Sequence, residues 1–152
     1  MTILMADSAT PADIPDSFKA AAVYINGEFA WPQSQIARFP KIIRISVTGD
    51  PSAARLARCI DVETGAATPD DAAAFIQERH RLGFGNATVY CDESNVAAVK
   101  TACAGLTYRF WIASWTGKAH EVDNAWAVQY SGGPDVTYDT SIVYGQEDFS
   151  HP

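Results

Sequence analysis

The chain has 152 residues, of which 47% are hydrophobic and 19% charged, as expected for one folded domain. Its formal net charge of −7, without any Lys/Arg cluster, argues against nucleic acid as a partner. No apolar run approaches the roughly 18 residues of a membrane span, so membrane insertion is not predicted. The first residues lack the basic and apolar regions of a signal peptide, which predicts cytoplasmic synthesis.

Predicted elements follow one another regularly after residue 19. Residues 1–18 are polar and aperiodic, which predicts a mobile leader before a domain at 19–147 and a tail at 148–152. Apolar runs predict strands at 20–26, 41–47, 58–63, 86–91, 107–115 and 125–130, and a last strand or strand pair at 136–145. Helix signals, including Pro and Gly at helix ends, fall at 32–39, 50–57, 68–84 and 93–105.

Alternation of strands and helices, with continuously apolar strands, predicts an α/β fold with a parallel sheet covered by helices. A regular eightfold β/α barrel takes at least about 200 residues. This chain is shorter, so a TIM-like barrel would be small and irregular, with several helices missing. An open, doubly wound sheet is the alternative.

The strand at 58–63 ends in two acidic residues, Asp61 and Glu63. Side chains at i and i+2 of a strand share a face, and β/α folds carry their active sites at these strand ends. Like charges held close raise the pKa of one carboxyl, which can then act as an acid in glycoside hydrolysis. Two acids on one strand suit substrate-assisted hydrolysis by a 2-acetamido group. The alternative is that both are solvated or cap the next helix.

Further candidates lie at or near other strand ends. Aromatic rings stack on sugars but also fill cores, and polar side chains there can face a cleft or serve the fold. Asp92 is either a cleft carboxylate or a helix cap, and Arg44 is a candidate partner for Asp61 or Glu63. The remaining candidates for substrate binding are Asn26, Tyr90, Trp115, Gln129 and Tyr130.

No bound metal or cofactor is predicted. The three cysteines, Cys59, Cys91 and Cys103, have no metal-ligand spacing and are expected to be small core residues. No strand is followed by a Gly-rich phosphate loop, and no G-x-S-x-G motif is present.

A series of short motifs carries a family resemblance over about residues 58–145. In order they are "CIDVE", "AAAFIQERHRLGFG", "ATVYCDESN", "YRFWIASW", "AWAVQYSGG" and "VTYDTSIV". This series resembles the glycoside hydrolase family 25 lysozymes, which are N-acetylmuramidases, and a related glycoside-hydrolase-like domain of actinobacterial and phage proteins. The resemblance implies an irregular β/α barrel with fewer helices than strands. It also implies Glu63 as general acid, Asp61 as its partner that positions the acetamido group or water, and Asp139 in the cleft.

One position departs from the family pattern. Members usually carry an Asp on the first strand, whereas the strand predicted at 20–26 ends in Asn26. Asn26 cannot carry the charge of that Asp, which favours an inactive module. The resemblance as a whole favours an enzyme that cleaves cell-wall peptidoglycan, acting at the wall or in a phage particle. The alternatives are an inactive glycan-binding or virion-associated module of the same fold, or an oligomer-forming structural protein.

Overall fold

The structure, a computed structural model, describes residues 1–145 and 149–152 and contains a closed barrel of eight strands. Strands β1 to β7 run parallel to their neighbours, and β8 closes the barrel antiparallel to both β7 and β1. The strands are β1 Ile3–Asp7, β2 Ala20–Tyr24, β3 Lys41–Ser46, β4 Cys59–Asp61, β5 Thr88–Asp92, β6 Arg109–Ala113, β7 Ala125–Ser131 and β8 Asp139–Val143.

Helices are fewer than strands, as predicted. Among the described residues the α-helices are α1 Gln33–Ile36, α2 Pro69–Arg81 and α3 Val96–Ala102. Short 3-10 turns occupy Pro11–Asp13, Pro51–Arg55 and Glu93–Asn95. The small, irregular TIM-like barrel is thus confirmed. The helix predicted at 50–57 is a 3-10 turn, and 136–145 holds one strand.

Helix α2 follows directly from its sequence and fixes the end of β4. The Thr68 hydroxyl accepts from the Asp71 backbone N–H at 3.2 Å, and the Asp71 carboxylate accepts from the Thr68 N–H at 2.9 Å. This reciprocal capping box, with Pro69 behind it, starts the helix. Phe75 and Ile76 then pack against the outside of the sheet. The chain therefore turns sharply after β4.

The first strand corrects the predicted mobile leader. In β1, Met5 pairs with Ala20 of β2, and Asp7 pairs with Asp139 of β8. The side chains of Met5 and Ala6 are fully buried. The run Ile-Leu-Met-Ala-Asp has an ordinary length for a strand, and hydrogen bonding on both sides holds it in place. The predicted domain end at 147 and the start of the tail at 148 lie outside the described residues.

Aromatic and aliphatic side chains fill the barrel interior beneath the rim at which the parallel strands end. Tyr90, Trp111 and Trp126 lie inside, and the Trp111 indole N–H donates to the Ser141 hydroxyl at 2.9 Å. All three cysteines are free and buried, as expected. Since this layer closes the interior, the polar residues above it form an open mouth. Within the described part of the chain, no helix is long and apolar enough to cross a membrane.

Candidate active site

Four carboxyl side chains meet at the carboxyl-terminal mouth of the barrel. Asp7 and Asp61 end β1 and β4, and Glu63 lies two residues beyond Asp61. Asp139 begins β8, but β8 is antiparallel, so its first residue lies at the same rim as the ends of the parallel strands. Asp7 and Asp139 are direct partners in the β1–β8 register. The topology therefore collects acids that are far apart in sequence.

Asp61 and Glu63 are neighbouring carboxyl groups, close enough for Glu63 to oppose the ionisation of Asp61. A like charge held close favours the protonated form of a carboxyl group, so Asp61 keeps its proton to a higher pH than free Asp does. Burial is the main cause that raises the pKa of Asp61, and the charge of Glu63 adds to it. Asp61 is 4% exposed, whereas Glu63 is exposed to the groove. The pair thus combines a buried carboxyl whose protonated form is favoured with an accessible carboxyl.

Asp7 is buried beside the pair, and its environment opposes ionisation. Burial, reinforced by the charge of Asp139, raises the pKa of Asp7 from 3.8 to about 7. Hydrogen bonds from Gln129 and from the Tyr24 hydroxyl act in the opposite direction. Burial likewise raises the pKa of Asp139, although the Gly133 backbone N–H donates to it at 3.2 Å. Both acids therefore change ionisation closer to neutral pH than free Asp does.

Gln129 on β7 connects this cluster to the aromatic side chains. Its Oε1 accepts from the Tyr90 hydroxyl and from the Trp115 indole N–H, each at 2.9 Å. Its Nε2 donates to Asp7 at 3.1 Å and to Asp139 at 3.4 Å. Because two donors face the oxygen, the amide nitrogen must face the two carboxyls. Both polar atoms of the Gln129 amide thus bond to other protein groups. Neither atom is left to bond a sugar hydroxyl, as the sequence had suggested.

A surface groove in two lobes runs over the cluster. The first lobe, about 360 Å³, includes Asn26, Thr48 and Asp61 in its lining, and the second, about 490 Å³, includes Asp7, Tyr138 and Asp139. Three side chains line both lobes, namely Tyr24, Phe29 and Glu63. Glu63 therefore lies at the junction of the two lobes, in the lining of both.

Trp115 and Asn26 both lie near the groove, in different roles. Trp115 is 55% exposed, and its ring lies against Gly133 of the second lobe. Asn26 lines the first lobe, but its amide donates to Ser46 at 2.9 Å and accepts from the Val47 N–H at 2.8 Å. Tyr90 lies below the groove, 9% exposed. Trp115 is thus the candidate that offers an open ring face.

Three predicted site residues are not brought to the groove. Asp92 caps the turn before α3, where its carboxylate accepts from the Asn95 N–H at 3.0 Å. Arg44 alternates with the inward-facing Ile43 and Ile45, so it faces outward, and it lines a separate cavity of arginines. Tyr130 follows Gln129 and lines neither lobe.

Asp7, Tyr24 and Phe29 are groove residues that the sequence analysis missed. The family pattern asks for an Asp on the first strand, and the first strand is Ile3–Asp7, which ends in Asp7. Asn26 follows β2, so treating it as the counterpart of that Asp is wrong. Recognising "ILMADS" as a strand would have found the residue.

No metal site accompanies the acids. Within residues 1–145 and 149–152, no set of three or more His, Cys, Asp or Glu side chains is arranged to hold a metal ion.

Comparison with known proteins gives a structural likeness without a sequence match. No family model matches the chain, and no curated protein is significantly similar to it in sequence. Among solved structures, the chain is similar to a family GH25 lysozyme from Aspergillus fumigatus, with a TM-score of 0.55 and 13% identity. The likeness covers 95% of both chains. The chain therefore has the fold of a glycoside hydrolase family 25 lysozyme.

Proposed function

We propose that this protein is a glycoside hydrolase that cleaves cell-wall peptidoglycan in the manner of a muramidase. The observation that supports this most strongly is the Asp61–Glu63 carboxyl pair, of which Glu63 lines both groove lobes. A glycan lying along the groove would cross Glu63 at its middle. This is where a general acid must stand to protonate the oxygen of the scissile bond.

In the proposed reaction Glu63 donates the proton that the pair holds, and the sugar leaving group departs as an alcohol. The substrate's own 2-acetamido oxygen attacks the anomeric carbon from the other side and forms a cyclic intermediate. Asp61 lies on the same strand end as Glu63, so it is suited to orient the acetamido group. Water then opens the intermediate, and Glu63 takes up the water's proton, which restores the pair.

Asp7 and Asp139 have a supporting role in this proposal. The positive charge that develops on the sugar in the transition state is stabilised by carboxyl groups already fixed around it. The buried Asp7, held by Gln129 and the Tyr24 hydroxyl, is such a group. Burial raises the pKa of Tyr24 far above its usual range, so its phenol remains a donor.

A binding module without activity, in a phage particle or at an actinobacterial wall, is the alternative. An argument for it was the missing first-strand acid. Asp7 supplies a carboxyl on that strand, which weakens that argument. The groove's open lobes still suit simple binding.

The experiment compares wild type with Glu63→Gln on purified peptidoglycan. The change keeps the shape of the side chain and removes the acid, so release of new reducing ends should fall about 10²–10⁴-fold. Sedimentation with the wall should be retained by both proteins. Binding without release by wild type would contradict the enzyme and leave the binding module, and the absence of both would contradict either function.

Trp115→Ala is expected to weaken binding of wall glycan fragments about tenfold, because a stacking ring at the groove is lost. Titration calorimetry on the Glu63→Gln background would measure it without turnover. Trp115→Phe is the matched control. It keeps an aromatic ring, although a smaller one, and removes the N–H donated to Gln129. Equal affinities for wild type and the Ala variant would exclude Trp115 from glycan binding.

A further inference from the structure

The groove is lined by acidic side chains without any basic ones: among the described residues that line its two lobes there is no Lys, Arg or His. The first lobe contributes Glu28 and Asp61, and Glu63 lies at the junction. The second lobe contributes Asp7, Asp13 and Asp139. Carboxyl groups therefore occur on both sides of the junction and along the whole groove.

The basic residues are elsewhere on the barrel. A separate cavity is lined by Arg44, Arg55, Arg58 and Arg79. Of the ion pairs between described residues, Arg38–Asp16 and Arg81–Glu78, neither includes a groove carboxyl. No basic side chain in the described lining thus neutralises those groove carboxyls that are ionised, which leaves them for a ligand.

A second observation points to a ligand with a hydrogen-bond donor. Asp61 is 4% exposed and lines the first lobe, yet its Oδ1 has no hydrogen-bond partner among the described residues. Buried polar atoms are nearly always paired, because an unpaired one loses its hydration without compensation. A ligand that carries N–H donors would satisfy this oxygen.

We propose that the groove selects amino-sugar chains with free, positively charged amino groups over neutral or anionic chains of the same length. This inference rests on the proposed function, since it takes the groove to be a glycan site. An ammonium group offers three donors and a charge opposite to that of the lining, whereas an N-acetyl group is neutral and a uronic acid is repelled.

A partly N-deacetylated chain meets both requirements of the site. One acetylated sugar at the scissile bond supplies the acetamido oxygen that attacks the anomeric carbon. Deacetylated sugars in the two lobes supply the amino groups that face Glu28 on one side and Asp13 on the other. Charge selection and the proposed chemistry are therefore compatible within one substrate.

The test is titration calorimetry of Glu63→Gln with hexamers of glucosamine, N-acetylglucosamine and galacturonate. At low salt the glucosamine hexamer should bind about tenfold more tightly than the N-acetylated one, because several exposed ion pairs each contribute a small factor. Galacturonate should bind most weakly. About 0.5 M salt should remove most of the difference by screening. Equal affinities at low salt, a preference that persists at high salt, or no binding of any hexamer would overturn the proposal.

Charge-removing variants locate the effect. The double change Asp13→Asn with Glu28→Gln should reduce the preference for glucosamine several-fold, since it removes a carboxylate from each lobe. Glu78→Gln is the control outside the groove, and it should leave the preference unchanged. A loss of preference in the control would overturn selection by the groove. Wild type that hydrolyses no glycan while the order of affinities holds would contradict the proposed function and support the charge selection.

Discussion

Asp7→Asn is expected to stabilise the fold at pH 8 while reducing hydrolysis about 10²-fold, the usual cost of losing one electrostatic stabiliser. Asp7 is buried, and its pKa is raised from 3.8 to about 7. The folded protein therefore binds a proton that the unfolded chain releases at lower pH. Unfolding free energy must fall as the pH rises from about 4 through about 7.

The full difference between 3.8 and about 7 corresponds to at most about 4 kcal/mol. The Asn variant lacks this pH-dependent loss of stability, and its side-chain oxygen can still accept a hydrogen bond from Gln129. Urea unfolding of both proteins at pH 4 and pH 8 measures the effect, with the exposed Asp123→Asn as the matched control. A variant less stable than wild type at pH 8, or an effect equal at both pH values, would contradict the burial of an unfavourable charge at this position.

Gln129→Met is expected to lower the free energy of unfolding by about 2–5 kcal/mol, because it leaves buried groups without partners. The Tyr90 hydroxyl and the Trp115 N–H lose their acceptor, and the carboxyls of Asp7 and Asp139 each lose one of their donors. Met fills a similar volume, so cavity formation contributes little. Chemical denaturation at pH 7 measures the loss.

Gln129→Glu separates this network from simple packing. The introduced carboxylate can accept from Tyr90 and Trp115 but repels Asp7 and Asp139 when it is ionised. Its pKa is therefore raised in the folded state, so stability should be close to wild type at low pH and lost as the pH rises toward neutrality. A deficit that does not change with pH would show that Gln129 acts through its shape alone.

The sequence was most informative where local signals agree. Strand β4 ends in Asp61, Glu63 follows two residues later, and α2 begins with a capping box and a proline. These features predict both the strand end and the shared side of Asp61 and Glu63. Long-range neighbours such as Asp7 and Asp139 meet only because β8 runs antiparallel to β1, and no local pattern encodes that pairing.

The misplaced residues have physical explanations. β1 is five residues long, and its stability comes from pairing on both sides, which propensity does not register. Missing it shifted the first-strand comparison onto Asn26. Arg44 stands between Ile43 and Ile45, and strand alternation applied to that run would have placed it outside the barrel.

The most direct test of the account is the stereochemistry of cleavage. Attack by the acetamido oxygen and then by water inverts the anomeric carbon twice, so the first products from the β-linked glycan must be β-anomers. Proton NMR during early digestion of peptidoglycan strands by wild type resolves the anomers before they equilibrate. The account predicts new reducing ends that appear as the β-anomer and are absent with Glu63→Gln. Products that appear first as the α-anomer, or at the same rate with Glu63→Gln, would contradict it.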